Sequence, residues 1–248
     1  MADSKFFDNL PTDLVVADNA AEQRLLREYG AVFLARGGVI APNKVVFKDD
    51  DEVAAFQSRL DVGVSEIGGF DMELQAVAMA DLLEASDEAA AGGLSVTPRG
   101  PDSARRNYHG TVDLWKSRIE PALIHWASKG RITPEQADFI RSLAPHEQVP
   151  EVFKLEEEGI YFAKDLSKSI IYSVAPPGAS QHISMLAFDV AEFDNPRVRG
   201  ILASHRWYQT VVSDLPHFTY LGVDQGELPD LGLKRVNHLE RDFWIPDI

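Results

Sequence analysis

The sequence contains no cysteine among its 248 residues. This absence excludes a disulfide-framed secreted module, a thiolate metal site such as a zinc finger, and a cysteine nucleophile. Long apolar runs are also missing. The longest, such as Ala31 to Leu34 and Ile170 to Val174, fall far short of the ~20 residues that a membrane-spanning helix needs. We therefore expect no membrane span.

Positive charge is scarce, because 24 Lys and Arg face 39 Asp and Glu, which gives a formal net charge of −15. Nucleic-acid affinity depends mainly on neutralised phosphates, so this balance argues against a nucleic-acid partner and against an anionic membrane surface. The N-terminal residues also lack a basic stretch followed by an apolar one, so no signal peptide is predicted in this chain. We expect a cytoplasmic protein, or a periplasmic or extracellular one if a leader has been removed.

Helical and strand-like patterns alternate irregularly along the chain. Helices are predicted over Asn19 to Tyr29, Asp71 to Ser86 and Ser103 to Ser128, and a Gly-Gly hairpin is predicted over Ala31 to Ala41. Beyond Pro150 the pattern favours short strands, interrupted by a helix. The remaining predicted elements are an acidic helix start at 49–52, a helix opened by a capping box at 133–136, strands at 159–162, 170–174, 186–192, 211–212 and 218–221, and a helix at 196–205.

This mixed order predicts the α+β class, with a small mixed or antiparallel sheet flanked by helices. The length suits one large domain, or one domain with a sizeable extension. Neither of the common glycine-rich nucleotide-binding patterns, GxGxxG and GxxxxGK[ST], occurs in the chain. A nucleotide-binding fold therefore has no support in the sequence.

Two histidines lie where a turn meets a predicted strand, a favoured place for functional side chains. His182 follows a Pro-Pro-Gly break and precedes Asp189 by seven residues, and His217 follows Asp214-Leu-Pro. Seven residues of continuous strand would separate His182 from Asp189 by ~23 Å, and seven residues of helix by ~10 Å. Unless the chain folds back between them, these two side chains do not share an ion. A hydrogen-bonded histidine without any metal is the competing interpretation.

The two segments resemble the paired motifs of the zinc D-Ala-D-Ala carboxypeptidase and dipeptidase family, S-x-H-x-x-G-x-A-x-D and E-x-W-H-x-x-Y. Ser180, His182, Ala187 and Asp189 match the first motif. The second is matched by three residues, His217, Tyr220 and the trailing Gly222. The resemblance extends over about 94–222 and is strongest from Ala175 onward. It implies the hedgehog/DD-peptidase fold for 91–248, with 1–90 packed on it as a helical and hairpin extension.

The resemblance also implies a set of roles for individual residues. A zinc ion would be held by His182, Asp189 and His217, with a fourth position open for water. Asp214 stands where the family has glutamate and would act as the general base, and Ser180 would contact the substrate.

The family also has an arginine that stabilises the developing oxyanion. Arg99 is the nearest counterpart in this sequence, and Arg105 and Arg106 compete with it for the role.

The chain departs from the family at Met185, where the family has glycine, at Asp214, and at Leu215-Pro216, which precede the second histidine. The predicted function is that of a zinc metallo-carboxypeptidase, a hydrolase acting on a small peptide such as a peptidoglycan stem peptide of the cell wall. One alternative is a non-catalytic peptidoglycan- or peptide-binding protein that keeps the zinc. Another is an α+β protein with an unrelated role and no metal.

Overall fold

The computed structural model describes residues 5–16 and 19–248 of the chain and confirms the α+β class. Short antiparallel sheets are combined with helices of four to 21 residues. The helices and strands are α1 (Lys5–Asp8), α2 (Ala20–Tyr29), α3 (Asp50–Gln57), β1 (Val62–Ile67), β2 (Phe70–Gln75), α4 (Ala76–Ala91), α5 (Tyr108–Ser128), α6 (Pro134–Ser142), α7 (Pro145–Glu157), β3 (Ala187–Asp189), α8 (Pro196–Ser204), β4 (Trp207–Tyr208), β5 (His217–Tyr220), β6 (Leu233–His238) and β7 (Arg241–Pro246).

A three-stranded antiparallel sheet in the order β3-β5-β4 positions the second histidine segment. In β3 and β5, Asp189 lies directly opposite His217, and Ala187 lies opposite Thr219. Two hairpins, β1–β2 and β6–β7, form the other sheets in the part of the chain that the structure describes. Each strand of this three-stranded sheet is only two to four residues long. The turns around the strands therefore position the site as much as the strands do.

Side-chain caps begin several of the predicted helices. Asn19 and Asp49 accept hydrogen bonds from the backbone N–H groups of Glu22 and Glu52, each at 2.8 Å. Thr133 opens α6 with a complete capping box. These caps satisfy backbone donors that have no partner inside a helix, which explains why the sequence located these helix starts well. The helix at 196–205 is also confirmed as α8, capped by Asn195.

In the N-terminal third of the chain, one prediction is wrong and another is confirmed only in part. The predicted hairpin over 31–41 is a buried 3-10 turn, Gly30–Leu34, followed by irregular chain. The helix predicted over Asp71 to Ser86 is confirmed from Ala76 onward as α4, but its first five residues belong to strand β2, which pairs with β1. Gly68 and Gly69, with φ of 60° and 84°, form the tight turn between these strands. Tertiary pairing therefore outweighs the helical spacing of Met72 and the residues after it.

Several strands predicted beyond Pro150 are also wrong. Residues 159–162 form no strand, and the segment 170–174 begins as the 3-10 turn Ile170–Tyr172. Their side chains are nonetheless buried, with Phe162 and Ile170 at 0% exposure. Short apolar runs satisfy a core in either conformation, so periodicity alone does not distinguish them. The strand predicted over 186–192 is confirmed in its first half as β3, and the one over 218–221 as β5, shifted by one residue.

The hydrophobic core contains residues from both parts of the predicted two-part organisation. One cluster includes Phe6 and Leu26 from the N-terminal part and Trp115, Phe188 and Trp207 from the remainder. The boundary near residue 90 stays a prediction. Within residues 5–16 and 19–248, none of the helices has the length and apolar character required for crossing a bilayer.

Gly178 occupies the tightest backbone approach beside the first histidine segment. Its φ is +73°, its N–H donates to Thr111 Oγ1 at 3.1 Å, and its carbonyl accepts from the Phe47 N–H at 3.0 Å. A Cβ at this position would lie 1.8 Å from the Phe47 carbonyl oxygen. The close approach of the backbones at positions 178 and 47 therefore requires glycine at position 178.

We expect Gly178→Ala to lower the free energy of unfolding by about 2 kcal/mol or more, because it adds left-handed strain to a backbone clash. Gly200→Ala is the matched control: this glycine is exposed within α8 and a Cβ there meets no atom within 4 Å. It should raise stability by ~0.5–1 kcal/mol. Urea unfolding of both variants measures the difference, and equal effects of the two substitutions would contradict the packing described.

Candidate metal centre

The chain folds back between His182 and Asp189. Their spacing along the sequence requires such a reversal if both side chains are to contact one ion. A 3-10 turn, Gln181–Ser184, carries His182, and Met185 then adopts a left-handed conformation with φ 57° and ψ 30°. The Met185 N–H donates to the His182 carbonyl at 3.2 Å, which closes the turn. Strand β3 starts two residues later, so Asp189 returns to the first histidine.

Met185 adopts the left-handed backbone conformation that is easiest for glycine, the residue that the resembled family has at this position. A left-handed conformation costs an L-residue roughly 1–2 kcal/mol. The side chain is only 1% exposed and packs in a cluster with Phe56, Tyr108 and Ile183. Full burial of a methionine side chain contributes ≈ 1.5–3 kcal/mol, which is enough to offset that strain. The departure from glycine therefore preserves the turn.

Asp189 and His217 are cross-strand neighbours in the β3–β5 pair. Residues directly opposite one another in such a pair have their side chains on the same face of the sheet. His217 Nδ1 lies 3.2 Å from Asp189 Oδ1, and His182 Nε2 lies 3.4 Å from the same oxygen. The two imidazole centroids are 5.0 Å apart. One atom from each residue lies within 4.8 Å of the other two, so this buried group could hold a metal ion.

Hydrogen bonds on the outer side of each ring fix which nitrogen faces the group. His182 Nδ1 lies 2.7 Å from the Ala104 carbonyl, which can only accept, so this nitrogen carries the hydrogen and Nε2 keeps its lone pair. His217 Nε2 lies 2.8 Å from Gln181 Oε1, which leaves Nδ1 toward Asp189. Outer hydrogen bonds of this kind are typical of metal-binding histidines. The donors present therefore fit a divalent ion such as zinc.

The pKa shifts of His182 and Asp189 favour the protonation states in which these side chains bind metals. Burial lowers the pKa of His182, and the charges of Arg106 and His217 lower it further, against the opposing effect of Asp189. Burial would raise the pKa of Asp189, but the neighbouring His182 and His217 hold it well below its ordinary value. At neutral pH the carboxylate is ionised and the His182 imidazole is neutral, which are the forms that coordinate metals.

A cavity of about 220 Å³ opens above the three side chains. Its walls are formed by residues from α2, α5, the 170–175 segment and the loop before β5. Those other than the three ligands are Tyr29, Arg106, Leu114, Arg118, Ile171, Tyr172, Ser173, Val174, Ala175, Ser180, Gln181, Val211, Ser213 and Asp214. A ligand in this cavity would therefore contact the candidate metal position and several polar groups at once.

Asp214 lies in this cavity, in the turn before β5. Its side chain is accessible from the cavity, while the protein atoms crowded around it raise the pKa of the carboxyl group, against the opposing effect of the nearby histidines. The His217 N–H donates to the Asp214 carbonyl at 3.2 Å, which couples this turn to the strand. A carboxyl group of raised pKa in such a place suits proton transfer.

The three candidate arginines occupy different positions. Arg106 lines the cavity, donates from Nη1 to Ser180 Oγ at 3.2 Å, and its backbone N–H donates to the His182 carbonyl. Arg105 points elsewhere and pairs with Glu73 at 2.8 Å. Arg99 does not belong to the described residues that line the cavity; its guanidinium lies 5.9 Å from the ring centroid of Phe193, although its charge reaches Asp214.

Two residues of the site carried no signal in the sequence. Gln181 contacts His217, yet it occupies a variable position between Ser180 and His182 in the motif. Tyr29 lines the cavity from the end of α2, and it is 152 residues away from Gln181 in sequence. Their importance depends on tertiary contacts, which spacing along the chain does not reveal.

Comparisons with protein-family models, with curated protein sequences and with solved structures find no significant match to the chain. The case for any function therefore rests on the geometry of the described residues.

The lowered pKa of His182 predicts a pH effect on the stability of the metal-free protein. Unfolded histidine titrates near 6.5 and folded His182 below that value, so the unfolded chain binds more protons between the two. The free energy of unfolding should fall as the pH decreases below about 6.5. Urea unfolding from pH 8 to pH 5 in the presence of a chelator measures it, and His182→Gln should show a smaller decrease. An unchanged pH dependence in that variant would contradict the buried neutral imidazole.

Proposed function

We propose that the protein is a zinc-dependent metallopeptidase of the D-Ala-D-Ala carboxypeptidase type, with the hedgehog/DD-peptidase fold in 91–248. One observation carries the proposal. The His182, Asp189 and His217 group opens onto a cavity that also contains a carboxylate, Asp214, and an arginine, Arg106. Three protein ligands with an open fourth position are typical of catalytic rather than structural zinc sites.

The proposed chemistry is hydrolysis of a C-terminal peptide bond. A zinc ion at this site would polarise the scissile carbonyl and lower the pKa of a bound water to ~7. Asp214 accepts a proton from the attacking water at its carboxylate and returns it to the amine of the leaving residue. The raised pKa of Asp214 supports this role, because a group that exchanges protons near neutral pH needs a pKa above that of an ordinary aspartate.

Arg106 takes the oxyanion-stabilising role in this proposal. Its guanidinium is in the cavity, is held by Ser180, and keeps a fixed positive charge at all relevant pH values. Arg99 affects the reaction through its charge near Asp214. Ser180 positions both Arg106 and the substrate.

The size and charge of the cavity support a small peptide with a free C-terminal carboxylate as the substrate. A volume of about 220 Å³ suits one or two small residues, and Arg106 and Arg118 supply two cations on its walls. A peptidoglycan stem peptide that ends in D-Ala has this chemistry.

A zinc-retaining peptide-binding protein without turnover is the second candidate. The observation that favours it is the short side chain of Asp214, one methylene less than the glutamate of the resembled family. Catalysis is sensitive to displacements of ~1 Å, whereas binding of zinc and peptide does not require the base.

We expect the zinc-loaded protein to release the terminal residue from peptides ending in D-Ala-D-Ala. Asp214→Asn should lower kcat/KM by about 10²- to 10⁴-fold, because it removes the base while leaving the three ligands intact. Arg106→Lys should lose more activity than Arg99→Lys. Amino-acid release measures turnover, and elemental analysis of each variant checks for one zinc per chain.

Asp138→Asn is the control for a surface carboxylate, since Asp138 is exposed in α6 and pairs with Arg141. It should leave kcat/KM unchanged. One zinc per chain with peptide binding but no hydrolysis would favour the second candidate. No zinc in the parent protein, even with zinc supplied at neutral pH, would contradict both.

A further inference from the structure

We propose that Gln181 is a positioning residue that holds His217 with Nδ1 toward the metal position, and that the N-terminal helix α2 holds Gln181. The role of Gln181 rests on the proposed metal function, whereas its orientation follows from hydrogen bonds between protein groups alone. Gln181 is 3% exposed and belongs to the 3-10 turn that carries His182.

The orientation of the Gln181 amide follows from its partners. Its Nε2 donates to the backbone carbonyl of Tyr29 at 2.9 Å, and a carbonyl can only accept. The reversed amide would place two oxygens against each other. Oε1 therefore faces His217 Nε2 at 2.8 Å and Thr219 Oγ1 at 2.5 Å.

Both neighbours of Oε1 must then be donors. Thr219 gives its hydroxyl hydrogen to Gln181 and accepts one from Thr210, whose Oγ1 lies 2.7 Å away. His217 Nε2 carries a hydrogen for the same reason, since two lone pairs at 2.8 Å would repel. The Thr210 and Thr219 hydroxyls are fully buried, so water does not replace a missing partner there. The lone pair available for a metal is therefore on Nδ1.

Tyr29 connects this arrangement to the N-terminal segment. It is the last residue of α2, its hydroxyl donates to the Ile171 carbonyl at 2.6 Å, and it is one of the residues that line the cavity. The predicted extension 1–90 thus supplies the carbonyl that orients Gln181, in addition to one wall of the cavity.

Gln148 provides a matched control, because it is a buried glutamine with the same kind of hydrogen bonds and does not line the cavity. Its Oε1 accepts from Trp115 Nε1 at 3.0 Å and its Nε2 donates to the Ile140 carbonyl at 3.0 Å. Its exposure is 7%. Replacing either glutamine with leucine removes the polar amide from a buried position.

The experiment measures zinc affinity of the full chain by competition between zinc chloride and a chelator of known affinity. Gln181→Leu should weaken zinc binding by about 10- to 100-fold, the usual effect of losing an outer hydrogen bond on a metal-binding histidine. Gln181→Glu keeps an acceptor for His217 and should lose less. Gln148→Leu should lower the melting temperature while leaving zinc affinity unchanged.

Nitrogen NMR of the metal-free protein gives a readout that does not depend on zinc. At a pH where free imidazole is neutral, His217 Nε2 should be protonated in the parent, and Gln181→Leu should move the hydrogen to Nδ1, next to Asp189. If the parent binds no zinc, the proposed function fails while this test still decides the role of Gln181. An unprotonated Nε2 in the parent, or unchanged zinc affinity in a folded Gln181→Leu variant, would overturn the inference.

Discussion

The pairing of Asp189 directly opposite His217 is the interaction on which the site depends. Two antiparallel strands of three and four residues fix the distance between a carboxylate and an imidazole, and the turn closed by Met185 brings His182 to the same oxygen. A shift of one residue in this register would send one of the paired side chains to the opposite face of the sheet. The surrounding packing therefore maintains register as much as it maintains stability.

Burial of two imidazoles and a carboxylate is costly unless each polar atom has a partner. Here the Ala104 carbonyl and the Gln181 amide pair with the outer nitrogens, whereas the lone pairs of the inner nitrogens face the Asp189 carboxylate, an arrangement that a bound cation would compensate. Such an arrangement stabilises the folded chain less than an apolar core would, and it is typical of sites that are retained for function. The same partners determine which nitrogen atoms are free to coordinate.

The sequence predicted elements whose signals are local. Capped helices such as α2 and α6 are predictable because Asn19 and Thr133 act within one turn, and His182, Asp189 and His217 are predicted through their resemblance to the paired motifs of a known family. The 3-10 turn at 30–34 and strand β2 were missed because buried apolar residues fit several conformations and tertiary pairing decides among them. Local sequence patterns do not predict the contribution of Tyr29, because its partner Gln181 is distant in sequence.

The proposed metal centre requires three protein atoms to converge on one ion: His182 Nε2, Asp189 Oδ1 and His217 Nδ1. Crystals of the full chain grown with zinc, with diffraction data collected at the zinc absorption edge, would show whether these atoms coordinate the ion. We expect a single strong anomalous peak, with zinc–nitrogen distances of about 2.0–2.1 Å to both of those imidazole atoms. No peak among these side chains, or an ion bound through His217 Nε2, would contradict it.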